Sequence, residues 1–167
     1  MKPAFLFRAI LLISLLYAPS QRAEFLEMAT DAGLDFKHEN GNEGELWTVE
    51  IVGAGVGILD FDNDGRLDIW AVQGGPLRTA DSVRTGDRLF RNVTTSENLL
   101  FEDVTEISGV RATGYGMGIA SADIDNDGDT DVFLANFGAN QLFENLGDGQ
   151  FVDITEKAGL AGDEWSI

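Results

Sequence analysis

Two stretches of this chain crowd four aspartates around one glycine. Asp60-Phe61-Asp62-Asn63-Asp64-Gly65-Arg66-Leu67-Asp68 and Asp123-Ile124-Asp125-Asn126-Asp127-Gly128-Asp129-Thr130-Asp131 both read D-x-D-N-D-G-x-x-D. Carboxylates held this close repel one another unless a cation sits among them. Oxygen ligands at alternating positions, with a glycine at position six for a sharp turn, are the loop chemistry of a calcium site. In such a loop Asp60, Asp62 and Asp64 line the first cage, and Asp123, Asp125 and Asp127 the second. The backbone carbonyls of Arg66 and Asp129, at position seven, supply one oxygen each. Asp68 and Asp131, at position nine, close the cages. The spacing therefore predicts two calcium sites.

A single run of this kind also reads as a solvated acidic turn. Two runs ending in Asp at the same position, each followed by apolar residues, argue against that. An EF-hand loop requires Glu at position twelve between two helices. Position twelve here is Ala71 or Leu134. The flanks, Gly57-Ile58-Leu59 and Ile69-Trp70-Ala71-Val72, are strand-like, so each loop is expected to join two strands.

The rest of the composition narrows the function. A hydrophobic content of 44% is enough for a core, so the acidity is not that of a disordered tail. A formal charge of −18 repels nucleic acid and anionic membranes and draws cations. With no cysteine, disulfides, thiolate catalysis and Cys-based zinc sites are excluded. At the start, Lys2 and Arg8 precede the apolar run Ala9–Tyr17, followed by Ala18-Pro19-Ser20. This layout predicts a signal peptide over residues 1–20, cleaved near Ser20 or Ala23. The run is too short to favour a membrane anchor. The expected location is outside the cytosol, secreted, extracellular or periplasmic, where calcium is plentiful.

Internal repeats set the fold. Gly53–Asp60 aligns with Gly116–Asp123 without a gap, and Leu89-Phe90-Arg91-Asn92 matches Leu142-Phe143-Glu144-Asn145. Phe101–Val110 and Phe151–Leu160 share F-x-D-[VI]-T-E-x-x-G, and Phe25–Leu34 echoes them. The first copy is longer, with the extra loop expected within Arg78–Asp87. Each unit reads as a Gly-rich strand, acidic loop, apolar strand, L-F-x-N strand and F-x-D-[VI]-T strand, with Gly147-Asp148-Gly149 as a hairpin turn. Four short strands repeating at this period predict an all-β chain of β-propeller blades, each of four antiparallel strands. The expected divisions are 24–52, an N-terminal strand and lead-in; 53–110, the first blade; 111–160, the second; and 161–167, a third unit whose first strand starts at Ser166. About two blades form an incomplete ring, and the remaining blades are expected outside this chain. The spacing of Gly53, Gly55 and Gly57 is not that of a nucleotide-binding loop. It suits close approach of inner strands.

The pattern G-x-G-[VI]-x-x-x-D-x-D-N-D-G-x-x-D, then L-[FY]-x-N, then G-D-G-x-F-x-D-[VI]-T-x-x-A-G-L, resembles FG-GAP/VCBS repeats. These build integrin-alpha-type propellers with calcium between the first two strands. The lead-in Asp35-Phe36-Lys37-His38 is similar to that of the secreted cartilage-acidic-protein family, whose members often end in an ASPIC/UnbV domain. The resemblance covers about residues 24–167 and implies calcium at the matched aspartates. It implies no reaction.

Catalytic readings fare less well. His38, the only histidine, sits in a polar run with no nucleophile turn beside it. The obvious carboxylates are committed to calcium, which keeps them ionised. Trp70, within an apolar strand, reads as core; Trp47 and Trp165 stay open between core and sugar stacking. The expected function is calcium-supported binding or adhesion to an extracellular protein or a carbohydrate, without catalysis, nucleic acid or stable membrane insertion. The alternative is part of a carbohydrate-active propeller enzyme whose active site lies in other blades.

Overall fold

A computed structural model describes residues 24–45, 47–77 and 84–162. The signal segment 1–20, Ala23, Trp165 and the third-unit start at Ser166 lie outside them. A short helix α1 (Thr48–Val52) precedes eight strands: β1 (Val56–Leu59), β2 (Asp68–Ala71), β3 (Arg88–Asn92), β4 (Phe101–Asp103), β5 (Tyr115–Ala122), β6 (Asp131–Phe137), β7 (Gln141–Asn145) and β8 (Phe151–Asp153). They form two four-stranded antiparallel sheets, β1-β2-β3-β4 and β5-β6-β7-β8, each a simple meander. These are two propeller blades, and no barrel closes among the described residues.

The repeated motifs explain the meander. In each blade the Thr of F-x-D-[VI]-T accepts the N–H of the Leu that opens L-F-x-N: Leu89 N to Thr105 Oγ1 and Leu142 N to Thr155 Oγ1, both at 2.9 Å. Each Thr hydroxyl then donates to the Asp two residues earlier, Asp103 or Asp153. The fourth strand is thus fixed to the third by side chains as well as by its ladder. The β6–β7 turn lies between Phe137 and Gln141, whereas the matching link runs from Ala71 to Arg88, so the extra length of the first copy falls in that link.

One core lies between the sheets. Trp70, Val72 and Leu89 of the first blade meet Val132, Leu134, Phe143 and Phe151 of the second. Trp70 is fully buried, with its ring centroid 5.4 Å from Phe151 and 5.8 Å from Phe143. The blades touch most closely at the inner strands. A Cβ on Gly55 would lie 3.2 Å from the Gly118 Cα, and one on Gly57 would lie 2.7 Å from Ile119 Cδ1. The close approach read from these glycines is present.

The N-terminal region departs from the sequence reading. Residues 24–28 form no strand, although one was expected at Phe25, and only the turn at 29–33 takes the repeat's form. A strand needs a partner edge, and the third strands of both blades already carry their own fourth strands. Residues 35–45 and 47–52, unplaced from sequence, strap one end of the blade pair. Glu39 N donates to Gln73 Oε1 at 2.8 Å, and Tyr115 Oη donates to the Asn40 carbonyl at 2.9 Å. α1 then buries Val49 against Tyr115 and Met117. Glu50 holds the start of that helix by accepting the Trp47 N–H at 3.2 Å. Trp47 itself is half exposed and His38 is exposed.

Candidate metal centres

The two acidic loops fold alike because their sequences require it. Asn63 and Asn126, at position four, have φ of 55° and 64°, a left-handed conformation that asparagine tolerates better than most residues. Gly65 and Gly128 follow with φ of 84° and 97°. This winding turns backbone N–H groups inward. Asp60 accepts from Asp64 N at 3.1 Å and Gly65 N at 2.9 Å; Asp123 accepts from Asn126 N at 2.6 Å and Gly128 N at 3.1 Å. Asp64 and Asp127 each accept the N–H two residues on, at 2.9 Å.

Carboxylate oxygens of Asp60, Asp62 and Asp64 come within 4.8 Å of one another, and so do those of Asp123, Asp125 and Asp131. Each triad could hold a metal ion. The donor chemistry fits a hard cation, since every side-chain donor is a carboxylate oxygen. One of them, Asp62 Oδ2, is buried without a hydrogen bond. Arg91 Nη2 lies 2.6 Å from it but out of hydrogen-bond alignment.

The position-nine aspartates have a second task. Asp68 is fully buried; it accepts the Phe61 N–H at 3.1 Å and the Asn92 N–H at 2.7 Å. Asp131 does the same for Ile124 and Asn145, at 2.9 and 2.8 Å. Each clamps its loop to the third strand. Asp68 stays outside the first triad, whereas Asp131 belongs to the second. Burial raises the Asp68 pKa; the Asn92 and Phe61 hydrogen bonds oppose the shift, and the charges of Asp62 and Asp64 add to it. Asp127 falls outside the second triad.

Position seven separates the loops. The Arg66 guanidinium pairs with Asp64 and donates from Nε to the Asn92 carbonyl at 2.7 Å. Asp129 instead accepts from Asn63 Nδ2 of the other loop. Arg91 ion-pairs with Asp62, whereas Glu144, its counterpart in L-F-x-N, pairs with Lys157 at 3.3 Å. Among the described residues, the first loop therefore carries two arginines against its carboxylates, and the second carries none.

The Asn of L-F-x-N is a positioning residue that the sequence reading recognised only as part of a strand. Asn92 Nδ2 donates to the Leu67 carbonyl at 2.9 Å, and Asn145 Nδ2 to the Thr130 carbonyl at 3.2 Å. Both tie position eight of the loop to the third strand. The available signal was the repeat of this Asn at the end of L-F-x-N in both units.

A family profile described as FG-GAP-like repeat matches residues 60–134 and 123–167, more than half of the chain. The chain belongs to the FG-GAP-like repeat family. Each match takes in an acidic loop and the apolar strand after it, so the FG-GAP-like unit and the blade coincide in their loop-bearing part. The chain is also 29% identical over 152 residues to Cartilage acidic protein 1 of Xenopus tropicalis, covering 81% of this chain and 23% of the relative. It thus spans less than a quarter of that relative's length. Among the described residues, no helix is long and apolar enough to cross a membrane.

Proposed function

We propose that this chain is a calcium-supported pair of propeller blades that works outside the cell by binding, not by catalysis. The observation that carries the reading is the doubled loop: the same left-handed Asn, the same inward glycine N–H and a carboxylate triad in each copy. Asp60, Asp62 and Asp64 hold one ion, and Asp123, Asp125 and Asp131 hold the other. Bound calcium offsets two of the three like charges in each triad and fixes the ends of β1–β2 and β5–β6, which carry the interblade core. The expected ligand is an extracellular protein or a carbohydrate. The resemblance to a cartilage acidic protein and the signal-like first segment support that setting.

Isothermal titration of the chain with calcium tests the reading. Two sites are expected, and Asp62→Ala and Asp125→Ala each remove one. No binding in millimolar calcium, the weak end of extracellular sites, overturns it. Hydrolysis of a polysaccharide by the protein as its own cells make it would move the balance to the enzyme alternative.

A further inference from the structure

Position seven of the second acidic loop reaches into the first. Asp129 turns its carboxylate across the blade boundary and accepts from Asn63 Nδ2. Asn63 is the position-four residue whose left-handed backbone, with φ of 55°, winds the first loop. Gly147 leaves room for this reach, because a Cβ there would overlap Asp129 Oδ2. The equivalent residue of the first loop, Arg66, turns back instead onto Asp64 and the Asn92 carbonyl of its own blade.

A second, buried connection runs beside the first. Phe61 stands between Asp60 and Asp62, two members of the first triad, and its carbonyl accepts from Asn145 Nδ2 at 2.8 Å. The Asn145 N–H donates to Asp131 Oδ1 at 2.8 Å, and Asp131 Oδ2 accepts the Ile124 N–H at 2.9 Å. Asp131 belongs to the second triad. One residue therefore separates a carboxylate of the second triad from the backbone of the first loop.

Both connections require that each loop be wound. Three carboxylates crowd each triad, and without a cation their repulsion favours a looser loop. Loosening of the second loop withdraws Asp129 from Asn63 and Asp131 from Asn145. The first loop then loses the acceptor that holds its left-handed Asn and the anchor behind its Phe61 carbonyl. Loosening of the first loop withdraws the same two contacts from the second.

Resting on the reading of both loops as calcium sites, we propose that the two sites are coupled. An ion in one loop raises the affinity of the other, through the Asn63–Asp129 bond and the Phe61–Asn145–Asp131 chain. The bistable element is the pair of loops, wound or loosened, and both ions bias it in the same direction. Such coupling is reciprocal. The affinity of each site with the other empty is set within its own loop, by Arg66 and Arg91 in the case of the first. The blade pair consequently passes from loosened to locked over a narrower range of calcium than the same two sites would give if they were separate.

Calcium titration of the full chain measures the coupling. The product of the two binding constants of the parent is compared with the product of the single-site constants of Asp125→Ala and Asp62→Ala. Independent sites give equal products; coupled sites are expected to put the parent ahead by roughly five-fold or more. Asn63→Ala is expected to shrink that excess, and Asn63→Ala together with Asn145→Ala to abolish it. Equal products with two ions bound to the parent overturn the coupling and leave the two-site reading standing. An excess that survives the double substitution overturns the route through these residues. A parent that binds no calcium overturns the two-site reading and the coupling with it. A second measurement leaves the first loop unaltered. Amide hydrogen exchange at Asp64 and Gly65, whose N–H groups donate to Asp60, is followed in the parent and in Asp125→Ala at saturating calcium. Faster exchange at both positions in Asp125→Ala is expected, and unchanged exchange also overturns the proposal.

Discussion

Asn145 of the second blade donates its side-chain amide to the Phe61 carbonyl in the acidic loop of the first, at 2.8 Å. The same residue gives its backbone N–H to Asp131, a member of the second carboxylate triad. One buried side chain thus touches both candidate metal loops. The Phe61 ring, 6.1 Å from that of Phe151, reinforces the link by burying apolar surface beside it.

Asn145→Ala is therefore expected to cost more than Asn92→Ala, although the two occupy the same motif position. Asn145 is 1% exposed, and its loss strands the Phe61 and Thr130 carbonyls. A buried polar group left unpaired costs about 1–3 kcal/mol. Asn92 Nδ2 serves only the Leu67 carbonyl in a more exposed setting, which places its cost near the low end of that range. Urea unfolding of both variants in saturating calcium measures the difference; equal losses would contradict a special role for the cross-blade bond.

The two loops should not bind calcium equally. A cation entering the first triad competes with Arg66 and Arg91 for Asp64 and Asp62, whereas among the described residues the second faces no arginine. The second site should fill first in a titration. Arg91→Leu should raise the affinity of the first site several-fold and leave the second unchanged, because solvent screens a half-exposed pair. Calcium titration of this variant in the Asp125→Ala background reads the first site alone. An affinity that stays put would show that Arg91 does not compete.

Much of this was legible in the sequence, for identifiable reasons. A blade is a local meander, so the alternation of L-F-x-N and F-x-D-[VI]-T suffices to order its strands. The sharp turn at Gly65 was legible from the glycine at position six; the left-handed backbone of Asn63 was not read from the sequence. The role of Asp68 was not, because D-x-D-N-D-G-x-x-D shows a carboxylate but not the Asn92 N–H that occupies it. Nor was the exposed state of Phe25, since its strand-like residues lack a partner edge among the described residues. Asp87 carried no signal at all: its contact with Trp70 Nε1, at 2.8 Å, forms only once the longer link folds back.

Glycines at the inner strands offer a paired test of close packing. A Cβ on Gly116 would lie 2.1 Å from Val72 Cγ1 and 3.0 Å from the Gln73 carbonyl oxygen. Gly116→Ala should destabilise by about 1–3 kcal/mol, the range for overpacking a filled site. At Gly118 the nearest neighbour of a Cβ is that of Ala135, at 4.0 Å, so Gly118→Ala should be close to neutral. Thermal melts of the two variants side by side decide this, and similar losses would contradict the packing account.

Acidity should act on this protein in two opposite directions. A cation bound among the triad carboxylates would favour their ionised form and so depress their pKa. Stability from a depressed carboxylate is present above the unfolded value, ~4 for Asp, and is lost as pH falls through the folded value. Asp87 behaves the other way. It is buried at the end of the β2–β3 link, and desolvation pushes its pKa up to about 6, against opposing hydrogen bonds from Trp70 and Gln73. With a raised folded pKa, the native state takes up the proton first. Stability then rises as pH falls from above 6 toward the unfolded value near 4, by up to about 3 kcal/mol for a shift of this size. Melting in chelator from pH 7.5 to 4.5 removes the calcium contribution. The parent should gain stability on acidification relative to Asp87→Asn, whose amide does not titrate. Parallel profiles for the two proteins would show that Asp87 titrates normally and that its burial carries no such cost.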